Sequence, residues 1–344
     1  MELLKKIPMP GDMAKSEIIE LLLREEYGYL PEKPERISVE QVSVDGGFCA
    51  GKVLLKKLKL TCEGSFGSFT FPFYYTCPVD AGKKLPCFIH INFRPDVPDR
   101  YQPTEEITDS GFAIMSFCYE DVTKDNDDFT DGLAGVIYPE GRKSIYDCGK
   151  IGLWAWAAMC IMDYAVTLPE IDSEKISVAG HSRLGKTALL AGALDERFYC
   201  AFSNDSGNSG AALARENYGE TIKDIYDRFP YWFCENYAKY RDNEDALPFD
   251  QHYLLAANVP HLVYVASAEK DQWACPNNEY MSCIAASDYY KKNNMSGFVC
   301  PERMAETGDF FFEGSIGYHR RAGRHYFSRE DWNYYIKYLR HHFE

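Results

Sequence analysis

Hydrophobic and polar positions along the chain follow two different patterns. Residues 14–27 place apolar side chains at helical spacing, which predicts an amphipathic N-terminal helix. Residues 36–77 contain β-rich runs separated by glycine-containing turns. This second pattern predicts an antiparallel meander at one edge of a sheet.

From residue 87 onward, short apolar runs alternate with helical patterns. The predicted strands are 87–91, 112–117, 175–180, 201–203 and 261–267, and the predicted helices are 151–168, 184–194, 278–291 and 328–342. This alternation is typical of βαβ units, with a mostly parallel central sheet and helices on both faces. We therefore predict one α/β domain over residues 1–344.

Residues 205–259 form a long insertion between two of the predicted strands. In sheets of this type, ligands bind outside the carboxyl ends of the strands. We therefore expect the insertion to form part of the wall of the site.

The formal net charge is −15, and no stripe of lysine and arginine offsets it. Such a field repels a nucleic acid, so we expect no nucleic-acid partner. An uncharged or weakly charged substrate is easier to accommodate. No apolar run reaches the length of a transmembrane helix, and we expect no membrane partner.

Twelve cysteines are spread from Cys49 to Cys300, without C-x-x-C or zinc-site spacing. This usage predicts buried thiols in a reducing compartment, although the even count leaves disulfides open. Residues 1–8 lack an apolar signal core, so a cytoplasmic location is expected unless a leader has been removed.

The acidic run 120–128 lacks the EF-hand pattern and is predicted to be a solvated loop. We expect neither a metal nor a cofactor.

Ser182 lies in residues 180–186 (GHSRLGK), between a predicted strand and a predicted helix. A serine on such a sharp turn needs small neighbours, here Gly180 and Gly185. The helix N-terminus favours developing negative charge, so the N–H of Arg183 is a candidate oxyanion donor. Residues 92–95, after an earlier strand, are the candidates for a second donor. Because Leu184 stands where the generic pattern has glycine, a turn with a capping serine is the alternative.

A serine becomes nucleophilic when a histidine accepts its proton and a carboxylate orients that histidine. His319 and His325 flank residues 318–325, predicted as the loop between the last strand and the last helix. Where the serine lies on such an elbow, the chain order is serine, acid, histidine, so the base is expected in this late part of the chain. His325 is preferred, because it follows a glycine-containing turn and precedes aromatic residues that can anchor it. His319 is the alternative.

Two aspartates are candidates for the acid. Asp271 follows the predicted strand 261–267, and Asp205 follows the predicted strand 201–203. Both positions lie at the carboxyl edge of the sheet. One aspartate can orient His325 while the other shapes the site.

Residues 180–186 resemble the G-x-S-R-x-G-K motif of carbohydrate esterase family 15, the glucuronoyl esterases and related bacterial acetyl xylan esterase-like proteins. The resemblance covers roughly residues 85–340 and includes the segments 205–210, 231–233, 247–252, 271–273 and 323–325. It implies an α/β-hydrolase fold and a serine carboxyl-esterase. The implied substrate is a carbohydrate ester, either a glucuronoyl ester or an acetylated xylo-oligosaccharide.

The resemblance also implies roles for individual residues. Ser182 and His325 match the nucleophile and base of the family, and Arg183 matches an arginine that stabilises the oxyanion. Lys186 matches a lysine that contacts sugar hydroxyls. Trp273 resembles the tryptophan that lines the uronate site.

Fungal members have a glutamate at the position of Asp205, whereas some bacterial members carry an acid at the position of Asp271. We prefer Asp271 as the acid and keep Asp205 as the alternative. Trp232 is a candidate for stacking on a sugar, and His252 is a further candidate site residue. The alternative functions are a catalytically inactive sugar-binding protein and a peptidase or thioesterase of the same fold.

Overall fold

The computed structural model describes residues 2–343, which form a ten-stranded sheet surrounded by helices. The strands are β1 (Arg36–Asp45), β2 (Val53–Gly64), β3 (Gly67–Pro78), β4 (Leu85–Asn92), β5 (Ala113–Cys118), β6 (Ile171–His181), β7 (Cys200–Asn204), β8 (Leu262–Ala268), β9 (Phe310–Phe311) and β10 (Ile316–Arg321).

Residues 2–343 contain eleven α-helices, which include those predicted at 151–168, 184–194, 278–291 and 328–342. They are α1 (Lys15–Leu22), α2 (Phe48–Gly51), α3 (Thr104–Asp109), α4 (Tyr119–Val122), α5 (Gly132–Ile137), α6 (Lys150–Ala165), α7 (Arg183–Leu194), α8 (Ile222–Arg228), α9 (His252–Ala256), α10 (Pro276–Lys292) and α11 (Arg329–Phe343). The predicted N-terminal helix ends its α-helical part at Leu22 and continues as one π-helical turn, Leu23–Tyr27.

The strand order is β1-β2-β3-β5-β4-β6-β7-β8-β10-β9. The six strands from β5 to β10 in this order are parallel to one another. The first three strands form the predicted antiparallel meander, which joins the parallel part through β3 and β5. The α/β fold with a mostly parallel sheet is confirmed.

Side chains of the central strands alternate between two hydrophobic clusters, because successive residues of a strand point to opposite faces. In β4, Ile89 and Ile91 belong to the cluster that contains α6 and α7. Phe88 belongs to the opposite cluster, where its ring lies 5.2 Å from that of Trp332 on α11. Helices therefore cover both faces, which leaves the carboxyl edge of the sheet free for a site.

One predicted boundary is wrong. Residues 318–321 are not part of a loop but belong to β10, which pairs with β8 in parallel. The strand was missed because its polar residues His319, Arg320 and Arg321 are buried, which an apolar pattern does not reveal. The loop that carries His325 begins at Ala322.

The twelve cysteines are free thiols, and all but Cys49 and Cys300 are buried, as the sequence predicts. Among residues 2–343, no helix combines the length and the apolar character needed to cross a bilayer.

Candidate active site

Ser182 occupies a strained turn between β6 and α7. Its backbone has φ 58° and ψ −128°, a conformation that non-glycine residues rarely adopt. The N–H of Ser182 donates to the carbonyl oxygen of Asn204 at 2.8 Å, which ties the turn to the end of β7. This is the backbone geometry of a nucleophile elbow.

The two glycines around Ser182 are needed for steric reasons. A Cβ added at Gly180 would lie 2.0 Å from the carbonyl oxygen of Leu184. A Cβ at Gly185 would lie 3.1 Å from the Cβ of Ser206. It would also lie 3.2 Å from the carbonyl oxygen of Gly180, so the second glycine lets the start of α7 approach both the end of β6 and the segment after β7.

The first turn of α7 begins directly at Ser182. Gly185 and Lys186 donate their backbone N–H groups to the carbonyl oxygen of Ser182, at 2.8 and 3.2 Å. Arg183 is the first residue of α7, and the first N–H groups of a helix have no acceptor within the helix. Together with the helix dipole, the N–H of Arg183 favours an anion beside Ser182.

Residues 92–95 do not line the cavity at Ser182. The N–H of Phe93 donates to the side-chain oxygen of Asn92 at 2.8 Å, and Arg94 pairs with Asp99 at 2.8 Å. The loop instead presents the ring of Phe93 to Arg183, whose guanidinium carbon lies 5.7 Å from the ring centroid. The N–H of Phe93 is therefore already bonded, and a second oxyanion donor from this loop stays a prediction.

His325 and Asp271 are joined by a hydrogen bond of 2.5 Å between Nδ1 and Oδ2. His325 lines the same cavity as Ser182, and its side chain is 42% exposed, whereas that of Asp271 is 5% exposed. The bond occupies Nδ1 and leaves Nε2 to exchange a proton. This is the arrangement in which a carboxylate orients a base.

Asp205 lies close to this pair but has different partners. One ligand atom from each of Asp205, Asp271 and His325 falls within 4.8 Å of the others. The Asp205 carboxylate accepts from the N–H of Ala268 at 2.7 Å and from Arg321 at 3.0 Å. Burial, together with nearby carboxylates, raises the pKa of Asp205 well above its usual range, although Arg321 opposes this shift.

Arg321 connects Asp205 to the loop that carries His325. Its guanidinium pairs with both Asp205 and Asp331. It also donates to three carbonyl oxygens of the loop, those of Ala322, Arg324 and Tyr326. One buried side chain therefore holds the residues on both sides of His325.

His319, the alternative base, is not at the cavity. It is fully buried in β10, where its ring nitrogens are bonded to the hydroxyl of Tyr264 and to Asp331, both at 2.8 Å. His319 is therefore a structural residue that helps to fix Asp331.

His181, next to Ser182, is buried with its ring centroid 4.4 Å from that of His325. Its Nδ1 is bonded to Asn204 at 2.6 Å. Burial, followed by the neighbouring His325, lowers the pKa of His181 well below its usual range. His181 is therefore neutral and adds no positive charge beside the base.

The cavity at Ser182 has a volume of about 230 Å³. Its wall contains the predicted substrate-binding residues Lys186, Trp232 and Trp273. It also contains three residues of the insertion that the sequence did not predict, Glu220, Arg228 and Phe229. No local pattern distinguishes these three residues, because they reach the site only through the folding of the segment 205–259.

The ammonium group of Lys186 is occupied by protein acceptors. Nζ donates to the carbonyl oxygens of Ser206 and Asn208 and to Glu220, at 3.1 Å for the last. The other oxygen of Glu220 accepts from the indole of Trp273 at 3.2 Å. In this structure Lys186 thus orients Glu220, while the 42% exposed Trp273 faces the opening.

Trp232 is almost fully buried in the wall. Its ring is stacked on that of Phe229, with centroids 4.0 Å apart and an interplanar angle of 3°. The guanidinium of Arg183 lies 4.6 Å from the Trp232 ring centroid. Both Arg183 and Trp232 are bonded to Asp125, a residue of the acidic run that the sequence analysis assigned to solvent.

His252 is not part of the cavity. It is fully buried at the beginning of α9, and burial lowers its pKa to about 3. The polar side-chain contacts of that segment come from Asp250, which is paired with Arg215 at 3.1 Å, and from Gln251, which donates to Glu26 at 3.2 Å. The segment 247–252 therefore holds the insertion in place and does not contact the cavity through His252.

Comparisons with known proteins are consistent with this geometry. The family model described as glucuronyl esterase, fungi, matches residues 61–293. The carbohydrate esterase MZ0003, from an unknown prokaryotic organism, is 37% identical over 240 residues, which is 69% of this chain and 55% of the relative. A 4-O-methyl-glucuronoyl methylesterase from Wolfiporia cocos is 28% identical over 81% of this chain and 67% of its own length. The chain thus spans about half the length of the first of these relatives and two thirds of the second.

Solved structures match nearly the whole chain. The glucuronoyl esterase from Solibacter usitatus superimposes with a TM-score of 0.88 and 29% identity, covering 96% of this chain and 92% of that one. A promiscuous carbohydrate esterase family 15 enzyme from a marine bacterial metagenome gives a TM-score of 0.86 and 28% identity, covering 97% and 92%. The chain therefore belongs to the glucuronoyl esterase family, carbohydrate esterase family 15, and has its α/β-hydrolase fold.

Proposed function

We propose that this protein is a serine esterase that hydrolyses esters of glucuronic acid in carbohydrates. The observation that carries the proposal is the convergence of Ser182, on a strained elbow, with a His325 oriented by Asp271 in one cavity. Membership of the family narrows the substrate to a carbohydrate ester.

The reaction follows from these residues. The Oγ of Ser182 attacks the ester carbonyl carbon while His325 accepts the hydroxyl proton. The tetrahedral intermediate then breaks its bond to the alcohol oxygen, which takes this proton from His325. Water attacks the acyl-enzyme in the same way and releases the uronic acid and the free Ser182 hydroxyl.

The negative oxygen of the intermediate forms at the N-terminus of α7. The N–H of Arg183 and its guanidinium are the donors closest in the chain to Ser182. Preorganised donors of this kind contribute roughly a hundred- to a thousandfold in rate each. Glu220 supplies a hydrogen-bond acceptor and the exposed Trp273 an aromatic surface for the sugar, whereas the buried Trp232 supports the wall behind Arg183.

The charge of the protein fits this chemistry. A glucuronoyl ester is neutral at the reacting carboxyl, whereas the product is a carboxylate. The net charge of −15 therefore repels the product more than the substrate, which favours product release.

A broader ester specificity is the second candidate, favoured by the relative described as a promiscuous esterase. Acetylated xylo-oligosaccharides assayed beside methyl and benzyl glucuronates separate the two. A glucuronoyl esterase prefers the uronate esters in kcat/KM, because only these place a sugar ring on the acyl side of the cavity.

The role of Ser182 is tested by Ser182→Ala beside Ser68→Ala, an exposed serine of β3. We expect Ser182→Ala to lose turnover by about three orders of magnitude or more, and Ser68→Ala to match the unsubstituted protein. Full turnover by Ser182→Ala would refute the proposal. Covalent labelling by a fluorophosphonate, present before and absent after the substitution, identifies the nucleophile without reference to a sugar.

A further inference from the structure

We propose that Asp125 is a positioning residue of this active site, which holds the guanidinium of Arg183 and the indole of Trp232 in the wall beside Ser182. The inference rests on the proposed esterase function, since it concerns the same cavity. It assigns a role to an acidic side chain outside the serine, histidine and acid already described.

Asp125 differs from its neighbours in the acidic run. Lys124, Asn126, Asp127 and Asp128 are exposed, as expected for a solvated loop. The side chain of Asp125 is only 8% exposed. Burial of a single carboxylate in a charged loop requires compensation by hydrogen bonds or an opposite charge.

The compensating groups are the two wall residues. One oxygen of Asp125 pairs with the Nη1 of Arg183 and accepts from the hydroxyl of Tyr119 at 3.1 Å. The other accepts from the indole N–H of Trp232 at 2.7 Å. The backbone oxygen of Asp125 accepts from the hydroxyl of Tyr231 at 2.9 Å. One residue thus connects the elbow to the insertion.

These bonds restrict Arg183 strongly. Its guanidinium is held between Asp125 and the aromatic rings of Trp232 and Phe229, at 4.6 and 5.3 Å from their centroids. Arginine side chains are otherwise mobile, and ordering one costs conformational entropy. Here the cost is met before substrate binds, so the arginine is preorganised.

The pairing leaves the Arg183 side chain partly open to the cavity. Although one oxygen of Asp125 is paired with its guanidinium, the side chain is 23% exposed and lines the same cavity as Ser182. An oxygen that gains negative charge beside Ser182 is a suitable acceptor, because Arg183 directly follows that residue.

The loop that carries Asp125 is itself fixed from the opposite side. The ammonium group of Lys150, at the beginning of α6, donates to Thr123 at 2.8 Å and to the carbonyl oxygen of Asp128 at 2.6 Å. The indole of Trp154 donates to the carbonyl oxygen of Thr123 at 3.1 Å. Asp125 is therefore held on a rigid segment and can transmit its position to Arg183.

The test compares Asp125→Asn with Asp127→Asn, which makes the same chemical change two residues away at an exposed position. Since Arg183 acts on charge that develops in the transition state, we expect kcat on benzyl glucuronate to fall about tenfold or more in Asp125→Asn, with KM changed less than about threefold. Asp127→Asn is expected to keep both constants. Rates are expressed per active site titrated with a fluorophosphonate, so that loss of folded protein does not contribute.

A double-mutant cycle identifies the route of the effect. If Asp125 acts through Arg183, Asp125→Asn has little further effect on kcat in an Arg183→Met background. Asp125→Glu, which restores the charge, is expected to recover part of the rate. Independent, multiplicative losses in the double variant, or an unchanged kcat in Asp125→Asn, would overturn the inference.

Failure of the proposed function gives a different result. In that case the unsubstituted protein neither hydrolyses glucuronates nor reacts with the fluorophosphonate, and the inference falls with it. If the unsubstituted protein does both and Asp125→Asn equals it, the inference alone is wrong.

Discussion

The Nδ1 of His325 lies 2.5 Å from the Oδ2 of Asp271, although 54 residues separate them in the chain. The two residues meet because β8 and β10 are parallel neighbours, so that the segments following them leave the sheet at the same edge. Asp205 follows β7, the strand on the other side of β8, and reaches the same region, but its carboxylate is bonded to Ala268 and Arg321. Topology thus brings two aspartates to one histidine, and hydrogen bonding distinguishes them.

The first prediction concerns these two acids. Asp271→Asn is expected to lower kcat by about three to four orders of magnitude, because the amide cannot orient and stabilise the charged histidine. In Asp205→Asn the amide N–H₂ must face either Arg321 or the N–H of Ala268, and both of these are donors that cannot accept a hydrogen bond. We therefore expect this substitution to destabilise the fold by about 1–3 kcal/mol and to lower kcat much less than Asp271→Asn does. Kinetics and urea unfolding of both variants measure these effects. A large kcat loss with unchanged stability in Asp205→Asn would make Asp205 the acid.

The second prediction concerns the loop of the base. Arg321→Lys keeps the charge but cannot bond two carboxylates and three carbonyls at once, because a lysine has three donors and no fork. We expect kcat to fall about tenfold or more with little change in KM. Arg324→Lys, in the same loop and exposed, is the matched control and is expected to be neutral. Equal kinetics for the two variants would show that the loop holds His325 without the guanidinium.

The third prediction concerns the elbow. Gly180→Ala places a Cβ 2.0 Å from a backbone oxygen, which cannot move without opening the turn. The substitution is expected to destabilise the protein by about 1–3 kcal/mol or more and to reduce activity per folded molecule. Gly46→Ala, whose Cβ would meet nothing within 4 Å, is the control. Thermal unfolding and active-site titration compare them, and equal midpoints would contradict the steric argument.

The fourth prediction concerns pH. Burial raises the pKa of Glu26 to about 8, against the hydrogen bond from Gln251. An acid with a raised folded-state pKa contributes stability below its unfolded pKa and loses it as pH rises toward the folded value. The unfolding free energy of Glu26→Gln relative to the unsubstituted protein should therefore increase between about pH 4.5 and 8 and then level off.

Glu25 provides the control for this experiment. Although burial acts to raise its pKa, hydrogen bonds from Lys239, Tyr240 and Arg24 lower it to about 2. Glu25 is therefore ionised in both states above about pH 6, and the effect of Glu25→Gln on stability should stay nearly constant between about pH 6 and 8, a range in which the effect of Glu26→Gln still changes. Urea unfolding at several pH values measures both variants. A pH-independent effect of Glu26→Gln would contradict the raised pKa.

Local sequence was sufficient for the parts of the protein that depend on near neighbours. The meander, the alternation of strands and helices and the elbow at Ser182 follow from side-chain periodicity and from the steric demands of one turn. Strand β10 was missed, because its buried residues His319 and Arg321 are polar and become compatible with the core only through Asp331, ten or more residues away.

The remaining features of the site were decided by tertiary structure. Whether Asp271 or Asp205 bonds to His325, why Lys186 orients Glu220, and why Asp125 faces inward depend on groups that the sheet brings together from distant segments. A local pattern contains the residue types but not these distances. By itself the sequence determined the fold class and indicated Ser182 as the candidate nucleophile. Only the packing of β7, β8, β10 and the insertion determined the partners of each charge, because the energy of a hydrogen bond or ion pair depends on separation and burial.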